Sequence, residues 1–324
     1  MLSAEPDCRK ITPCHRQCPA LTQAVWGRFF VCRASGQCYA VPVAESRVRA
    51  WMIDIVLLYY IVNAFTDQTF GGNPAAVMML ESWLPDPQLQ ALAAQHNLSE
   101  TAFLVQQSPA SYELRWFTPV QEVPLCGHAT LAAAHVLANE LRVSNGPFQF
   151  KTRYRGDITA MRSSDGLDVA LPAVAFEEHK VEAGLAQALG ARVLAAVRPI
   201  DDPWQVLYEL QTQKVVMNLK PDIQALAQTV NHCVIITARG DQTDFVSRMF
   251  APHLGVDEDP VTGSAHCILA PFWSERLGKN SLSAWQCSAR GGRLHCSVVD
   301  DRVWLTGHAI TFSTGEVKAP IECA

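Results

Sequence analysis

The chain has 324 residues, of which 49% are hydrophobic and 18% charged, and its formal net charge is −5. This composition can form a core for one large domain or two of ordinary size. The negative charge gives no electrostatic basis for nucleic-acid binding, and no apolar run reaches the roughly 18 residues that span a bilayer. We therefore expect a globular protein with no nucleic-acid partner and no membrane partner.

Residues 1–51 differ from the rest of the chain, because they are rich in Cys, Arg and Pro and lack clear periodicity. None of the eleven cysteines in the chain forms a Cys-x-x-Cys pair, so the sequence does not indicate a zinc site. The scattered cysteines favour a reducing, cytoplasmic compartment. We predict a poorly ordered extension over 1–51 without a secretory signal, and Met52 is a candidate for the true start.

From Ile53 onwards the pattern predicts regular elements. Asp86 and Pro87 predict a helix start, with Asp86 as the N-cap. The last helix of this half is apolar on nearly every side, so we expect a sheet to surround it. The predicted elements are a strand at 53–65, an apolar segment at 71–80, a helix at 86–96, strands at 99–105 and 112–117, and a helix at 127–141.

The second half of the chain repeats this alternation. Gly278 is the predicted stop of its apolar helix. Turns are expected at Asp300-Asp301 and at 313–315 within the closing hairpins. The predicted elements are strands at 215–219, 232–238 and 243–250, a helix at 263–278, and β-hairpins across 290–317.

An internal repeat relates the two halves. "RWFTP" begins at Arg115 and "RMFAP" begins at Arg248, 133 residues later, and each is followed by a loop and by a glycine that opens an apolar helix. A five-residue match alone could arise by chance. A match that is followed in both places by the same order of strand, loop and helix indicates a true repeat. The repeat predicts two similar halves, each with a central helix in a curved sheet, related by a pseudo-twofold axis.

The repeat also predicts an anion site between the two helix starts, at Gly127-His128 and Gly263-Ser264. The first turn of a helix presents unpaired N–H groups and a partial positive charge. Glycine lets a ligand approach the backbone closely. Together, the two starts suit the carboxylate of a small substrate.

Three side chains near these starts are candidates for proton chemistry. His128 could act as acid, base or donor, or be a satisfied half-buried histidine. Asp259 could orient His128 or bind the substrate, or simply stabilise the helix start. Glu100 could be a buried acid of raised pKa, or an exposed strand-end residue. Asp257 and Glu258 are interpreted as solvated loop charges.

Cys126 precedes the first glycine, where a thiol can act as a base or pack as a small apolar group. Its equivalent in the repeat is Thr262. The chain contains no nucleotide-binding glycine motif, no His-Glu-x-x-His and no Gly-x-Ser-x-Gly elbow. This pattern favours proton transfer without cofactor or metal.

Four motifs resemble those of the PhzF family, the phenazine-biosynthesis isomerase and its relatives, over roughly residues 52–320. They are "NAFTDQTFGGNPAAV", "NLSETAFLV", "RWFTPVQEVPLCGHATLAAAHVL" and "GVDEDPVTGSAHCILAPFW". The resemblance implies the α+β diaminopimelate-epimerase fold, with two pseudo-symmetric domains that each curl a mostly antiparallel sheet around a central helix. The expected domains are 52–165 and 166–320, and the last strand could return to the first domain.

The resemblance also implies roles. In the phenazine enzyme the glutamate of the Asn-Leu-Ser-Glu-Thr motif moves a proton within a dihydro-hydroxyanthranilate ring, and Glu100 matches it. The family's other motifs imply catalytic roles for His128 and Asp259 and substrate binding by Gly127, Gly263 and Ser264. Family habit implies a homodimer and a small carboxylate substrate, with no cofactor.

Two alternatives stay open. Cys126 stands where the phenazine enzyme has alanine and where epimerases and proline racemases of this fold carry a catalytic cysteine, so an amino-acid epimerase or dehydratase is the second hypothesis. Animal relatives are described mainly as binding partners, which makes a non-catalytic interaction protein the third.

Overall fold

The computed structural model describes residues 57–143, 146–201 and 204–318, and the backbone of 24–25, 28–32 and 38–42. The chain forms two compact units that divide after Asp54. The smaller unit contains an antiparallel sheet of β1 (Ala24–Val25), β2 (Arg28–Cys32) and β3 (Cys38–Pro42). Most of the extension predicted at 1–51 lies outside the described residues, as do Met52 and the predicted strand start at Ile53.

The larger unit begins with ten elements that form its first half. They are β4 (Leu57–Ala64), β5 (Asn73–Leu80), α1 (Asp86–His96), β6 (Glu100–Ser108), β7 (Ser111–Phe117), β8 (Glu122–Val123), α2 (Gly127–His135), β9 (Phe148–Thr152), β10 (Asp157–Ser163) and β11 (Gly166–Pro172). One π-helical turn at Val136–Glu140 extends α2, close to the predicted end of this helix at 141.

The second half follows, and a final strand closes the chain. The elements are β12 (Phe176–Glu178), α3 (Leu185–Leu189), β13 (Ala195–Pro199), β14 (Gln205–Glu209), α4 (Gln213–Asn218), α5 (Ile223–Thr229), β15 (Cys233–Arg239), β16 (Phe245–Ala251), β17 (Val256–Asp259), α6 (Gly263–Leu277), β18 (Ser281–Gln286), β19 (Gly292–Val299), β20 (Arg302–Gly307) and β21 (Ala309–Val317).

Both halves arrange their strands in the same order. The first runs β21–β4–β5–β6–β7–β9–β10–β11. The second runs β12–β13–β14–β15–β16–β18–β19–β20. The parallel pairs also correspond, β5/β6 with β14/β15 and β7/β9 with β16/β18. Antiparallel pairing of β11 with β20 joins the halves into one ladder.

The apolar character of the two long helices has a structural cause, because α2 and α6 lie inside the curved sheets. Every residue of α2 is buried, and α6 is buried over most of its length. Side chains of both helices belong to the same hydrophobic core. The prediction that a sheet surrounds each central helix is therefore confirmed, and the helix starts lie where the halves meet.

Three local predictions are wrong. Residues 215–219 are mostly helical, because the Thr212 hydroxyl accepts a hydrogen bond from the Val215 N–H and caps α4. Residues 313–315 continue β21, where Gly315 pairs with Tyr59 and leaves room for its ring. Asp86 is the first residue of α1 and Pro85 is its N-cap. The turn at Asp300-Asp301 is confirmed.

Two bulk features complete the description. The cysteines within 57–318 are buried, namely Cys126, Cys233, Cys267, Cys287 and Cys296. In the part of the chain that the structure describes, no helix has the length and apolar character to cross a membrane.

Candidate active site

The two glycine turns predicted from the repeat meet. A Cβ atom built on Gly127 would lie 2.7 Å from the Cα of Gly263, and one built on Gly263 would lie 2.6 Å from the Cα of Gly127. Only glycine permits this approach, since real Cβ contacts are longer. The N-termini of α2 and α6 are therefore in contact, and their first-turn N–H groups share one region of positive potential.

A matched pair of ion bridges holds the loops that lead into these helices. Arg115 on β7 binds Glu122 through two hydrogen bonds of 2.8 and 2.7 Å. Arg248 on β16 binds Glu258 in the same way, at 2.7 and 2.9 Å. The Arg115 and Arg248 guanidinium carbons lie 5.0 Å from the rings of Phe117 and Phe250. In each half, the repeated Arg-x-Phe pattern thus marks an arginine that binds a glutamate through two hydrogen bonds. We call this pair the Arg–Glu fork, and it fixes the loop that follows.

This arrangement corrects one interpretation of the sequence. Glu258 was expected to be a solvated loop charge, but its side chain is only 23% exposed and is held by Arg248. Its neighbour Asp257 is exposed, as expected. The fork fixes β17, and β17 ends at Asp259.

Glu100 is the first residue of β6, and its side chain is 19% exposed. One carboxyl oxygen, Oε2, lies 3.1 Å from Nε2 of His128. Burial is the main reason that the pKa of Glu100 rises to about 8, and the nearby charge of Asp259 adds to the rise. This carboxyl can therefore hold or release a proton near neutral pH, which general acid–base catalysis requires.

His128 is the second residue of α2, and its side chain is 3% exposed. Its Nδ1 atom lies 3.2 Å from the Asn73 amide nitrogen and 3.5 Å from the Cys126 sulfur. Burial lowers the pKa of His128 to about 3, so the ring is neutral at physiological pH. The ring can donate or accept one hydrogen bond without carrying charge.

Asp259 comes from the second half and is 9% exposed. It accepts hydrogen bonds from the Asn73 amide, at 2.8 Å, and from the Thr262 hydroxyl. Burial raises the pKa of Asp259 to about 6, although both hydrogen bonds oppose the rise. The structure thus brings the carboxyl groups of Glu100 and Asp259, one from each half, close enough to influence each other's charge.

Ser264 follows Gly263 and is partly buried. It occupies the position in α6 that His128 occupies in α2. All six predicted site residues, Gly127, His128, Gly263, Ser264, Glu100 and Asp259, therefore lie at or next to the contact between the helix starts. Their chemical roles stay predictions.

Two polar residues of the site have no predicted role in the sequence analysis. Asn73 follows Gly72, whose φ of 64° and lack of a side chain let the loop pass the carbonyl of Ala64. Gln286, fully buried at the end of β18, donates to the Asp259 carbonyl at 2.9 Å and accepts from the Thr262 N–H at 2.8 Å. Asn73 lies within a quoted motif, whereas nothing in the sequence pattern distinguishes Gln286.

Cys126 is the N-cap of α2, and Thr262 is the N-cap of α6. Burial is the largest of the causes that raise the pKa of the Cys126 thiol well above its usual value, and the Glu100 and Asp259 charges add to it. The thiol therefore stays protonated and acts as a hydrogen-bond donor. Ligand atoms of Glu100, Cys126 and His128 lie within 4.8 Å of one another, as in some metal sites.

A cavity of about 400 Å³ opens beside the loop that leads into Asn73. Its lining comprises Gln68, Thr69, Phe70, Gly71 and Arg290. Arg290 donates to the carbonyls of Gly71 and Gly72, both at 2.8 Å, so the loop holds a guanidinium at the cavity.

Comparisons with known proteins identify relatives along most of the chain. A family model described as "Phenazine biosynthesis-like protein" matches residues 62–315. An uncharacterized isomerase of Pseudomonas aeruginosa is 46% identical over 262 residues, which is 81% of this chain and 98% of the relative. These matches extend over both halves of the larger unit.

Solved structures agree with this result. A phenazine biosynthesis protein of the PhzF family from Enterococcus faecalis has a TM-score of 0.76 and 41% identity, over 81% of this chain and 99% of the other. A hydroxyproline epimerase from Agrobacterium vitis has a TM-score of 0.51 at 12% identity, over 81% and 92% of the two chains, and shows the fold alone. The predicted α+β fold of the diaminopimelate-epimerase type is confirmed.

Proposed function

The chain belongs to the phenazine biosynthesis-like (PhzF) protein family, and from that premise we propose that it is an isomerase that moves a proton within a small carboxylate substrate. In this proposal Glu100 is the general acid and base, and no cofactor takes part. The sequence resemblance to the family is confirmed, and the isomerase class agrees with the name of the Pseudomonas aeruginosa relative.

One observation carries the proposal: the carboxyl of Glu100, with a pKa of about 8, lies 3.1 Å from a neutral histidine in the first turn of α2. That turn is in contact with the start of α6. Perturbed pKa values of this kind are typical of catalytic acids and bases. The site thus combines an anion-binding surface with a proton carrier.

The proposed reaction starts when the substrate carboxylate binds the N–H groups of the two helix starts. Ionised Glu100 removes a proton from an activated carbon, and the negative charge spreads through the conjugated substrate. Glu100 then returns the proton to another carbon on the same face, so the carboxyl ends the cycle as it began. His128, Asp259 and Ser264 orient the polar substituents.

The geometry favours Glu100 over Cys126 as the base. A two-thiol mechanism would need a second cysteine at the start of α6, where this chain has Thr262. The raised pKa of Cys126 also keeps its thiol protonated. Thr262 therefore counts against the epimerase hypothesis alone, because the cysteine–threonine pair resembles that of hydroxyproline dehydratases of this fold. The protonated thiol of Cys126 counts against both hypotheses.

Deuterium incorporation tests the proposal. We would incubate the protein in D₂O with a panel of small carboxylates and follow C–H signals by NMR. The panel comprises dihydro-hydroxyanthranilate, other cyclic amino and hydroxy acids, proline and hydroxyproline. We expect exchange into at least one ring carboxylate, and Glu100→Gln should reduce its rate by at least about 100-fold, the usual contribution of a general base.

Cys126→Ser is the matched variant, because it changes the other candidate base in the same site. We expect it to keep most of the exchange rate. Exchange that survives in Glu100→Gln and disappears in Cys126→Ser would show that the thiol mechanism is correct. Binding of panel members without exchange in the wild-type protein would favour the interaction-protein hypothesis. The homodimer and the cytoplasmic location stay predictions.

A further inference from the structure

Asn73 is the polar residue that connects the two halves at this site. It begins β5, it is fully buried, and its amide nitrogen lies 2.8 Å from Asp259 Oδ1 and 2.9 Å from the carbonyl of Val261. Its amide oxygen accepts a hydrogen bond from the Ser99 hydroxyl, at 3.1 Å. The same amide nitrogen lies 3.2 Å from Nδ1 of His128.

These contacts fix the orientation of the Asn73 amide. A peptide carbonyl can only accept hydrogen bonds, so the atom beside Val261 O must be the NH₂ group. The two hydrogens of that group are directed to Val261 O and Asp259 Oδ1, which are its shortest contacts. A flipped amide would put two oxygens against each other in a buried site, which is costly.

The fixed amide determines where His128 carries its proton. An amide NH₂ cannot accept a hydrogen bond, so a proton on Nδ1 would face other hydrogens. The Cys126 thiol, 3.5 Å from Nδ1, can donate to an unprotonated Nδ1. The Asn73 amide thus favours a lone pair on Nδ1, and the thiol is compatible with one. In a neutral imidazole the single proton must then be on Nε2.

We propose that Asn73 is a positioning residue that holds His128 as the Nε2–H tautomer and so places that N–H group beside the carboxyl of Glu100. Nε2 of His128 and Oε2 of Glu100 are buried and lie 3.1 Å apart; this contact does not meet full hydrogen-bond geometry, and neither atom has a hydrogen-bond partner in the described part of the chain. Because Oε2 faces the Nε2–H group, which keeps its proton, the proton that Glu100 carries in catalysis is on its other oxygen, Oε1. The pKa of about 3 for His128 is consistent with one ring proton.

The catalytic consequence rests on the proposed function, whereas the tautomer does not. With the Nε2–H group 3.1 Å from Oε2, the partial positive charge of that group favours the ionised form of Glu100, and His128 keeps its proton. The reacting oxygen is then defined, and the proton leaves and returns through Oε1. A residue from β5 therefore determines the chemistry of a side chain on α2 and, through it, of Glu100.

The test is long-range ¹H–¹⁵N NMR of the full chain labelled with [¹⁵N]histidine, near neutral pH. The chain has 10 histidines, so a His128→Gln sample identifies the His128 signals by their loss. We expect the wild-type ring to show a protonated Nε2 and an unprotonated Nδ1. An Nδ1–H pattern in the wild type would overturn the proposal, whatever the variants do.

Asn73→Asp replaces the amide donor with a carboxyl that is an acceptor only once it is ionised, so a proton should appear on Nδ1 as the pH rises above the pKa of that carboxyl. Asn73→Ala removes the donor, and the ring should become a mixture of tautomers. Asn63→Ala is the matched control, because Asn63 is a buried asparagine on the adjacent strand whose amide donates to Thr69 O. It should keep the wild-type pattern. An unchanged Nε2–H pattern in folded Asn73→Asp and Asn73→Ala would contradict the assignment.

The exchange assay separates this inference from the proposed function. We expect a roughly 100-fold slower exchange in Asn73→Ala, since a misplaced catalytic group loses about that much, and Asn63→Ala should be unaffected. The Nε2–H pattern without exchange on any carboxylate would mean that the proposed function fails while the tautomer assignment holds. Exchange that depends on Glu100, together with a His128 ring protonated on Nδ1, would mean that the proposed function holds while the tautomer assignment fails.

Discussion

The two halves of the larger unit share a scaffold but differ in chemistry. Strand order, the Arg–Glu forks and the glycine at each helix start correspond one to one. The acids do not, because strand register matches Glu100 with Cys233 and Asp259 with Val123. Each half therefore contributes one carboxyl group, from a different position. In a duplicated fold, the backbone contact between the halves can thus stay symmetric while the catalytic side chains come from positions that do not correspond.

The largest expected effect comes from breaking the shared glycine contact. Gly127→Ala and Gly263→Ala each place a Cβ within 2.7 Å of the opposite backbone, so the helix starts must separate. We expect both variants to lose exchange activity and about 3 kcal/mol in the free energy of unfolding. Urea unfolding and the exchange assay measure these effects.

Gly190→Ala is the control for the glycine pair, because nothing lies within 4 Å of its added Cβ and only the left-handed φ of 69° opposes alanine. It should cost far less and leave exchange intact. If only one of the two site glycines tolerated alanine, the equivalence of the helix starts would be wrong.

A pH profile sharpens the difference between the acids. With Glu100 as the base and its pKa at about 8, the active carboxylate is lost as pH falls below that value. We expect kcat/KM to fall by roughly tenfold per pH unit well below the pKa, and by about 50-fold between pH 8 and pH 6, because half of the carboxyl is ionised at pH 8. The charged or titratable neighbours of this carboxyl are Asp259, Cys126 and His128, and Asp259, with a pKa of about 6, would add a second limb at lower pH.

Stability gives an independent check of the same pKa. The folded protein holds a proton on Glu100 up to about pH 8, whereas the unfolded chain releases it near 4.5. The contribution of this group to stability is therefore complete below 4.5 and declines as pH rises towards 8. Glu100→Gln should remove this part of the decline in urea unfolding. A profile identical to that of the wild type would show that Glu100 titrates normally.

A smaller effect distinguishes the two forks. Arg248→Met leaves Glu258 without its arginine, whereas Arg115→Met leaves Glu122 with Arg153, 3.0 Å away. We expect Arg248→Met to lower the free energy of unfolding by about 2 kcal/mol and Arg115→Met to lower it by less. Only Arg248→Met should also reduce exchange, by roughly tenfold, because β17 ends at Asp259 whereas β8 ends at Val123. Equal losses of activity in both variants would mean that the forks act through general stability alone.

Much of the architecture could be predicted because the two copies of the repeat encode it in short stretches of sequence. The Arg-x-Phe-x-Pro pattern and the helix-opening glycine correspond to a fork and to a contact between halves, and both depend on a few residues. Residues 215–219 could not be assigned correctly, since β-branched residues suggested a strand while the capping hydroxyl of Thr212 decided for a helix. A glycine within Ser-Thr-Gly suggests a turn from the local sequence alone. Gly315 instead makes room for the ring of Tyr59, which is far away in sequence and so leaves no local signal.

The site was predicted less completely than the fold. The positions of Gly127, Gly263, His128 and Asp259 follow from the motifs that contain them. The raised pKa of Glu100 arises from burial and from a charge on the other half, neither of which is local. Gln286 could not be found, because its partners lie 24 and 27 residues away in sequence and are contacts of a single side chain.

The pairing of β21 with β4 has a consequence for biosynthesis. Val317 pairs with Leu57, so the last described strand supplies one side of the first strand of the same unit. A ribosome releases β21 only after the whole second half has been translated, and until then β4 has an unpaired outer edge. The half that is made first is thus the last to be finished, and exposed strand edges of this kind are sites where nascent chains associate wrongly.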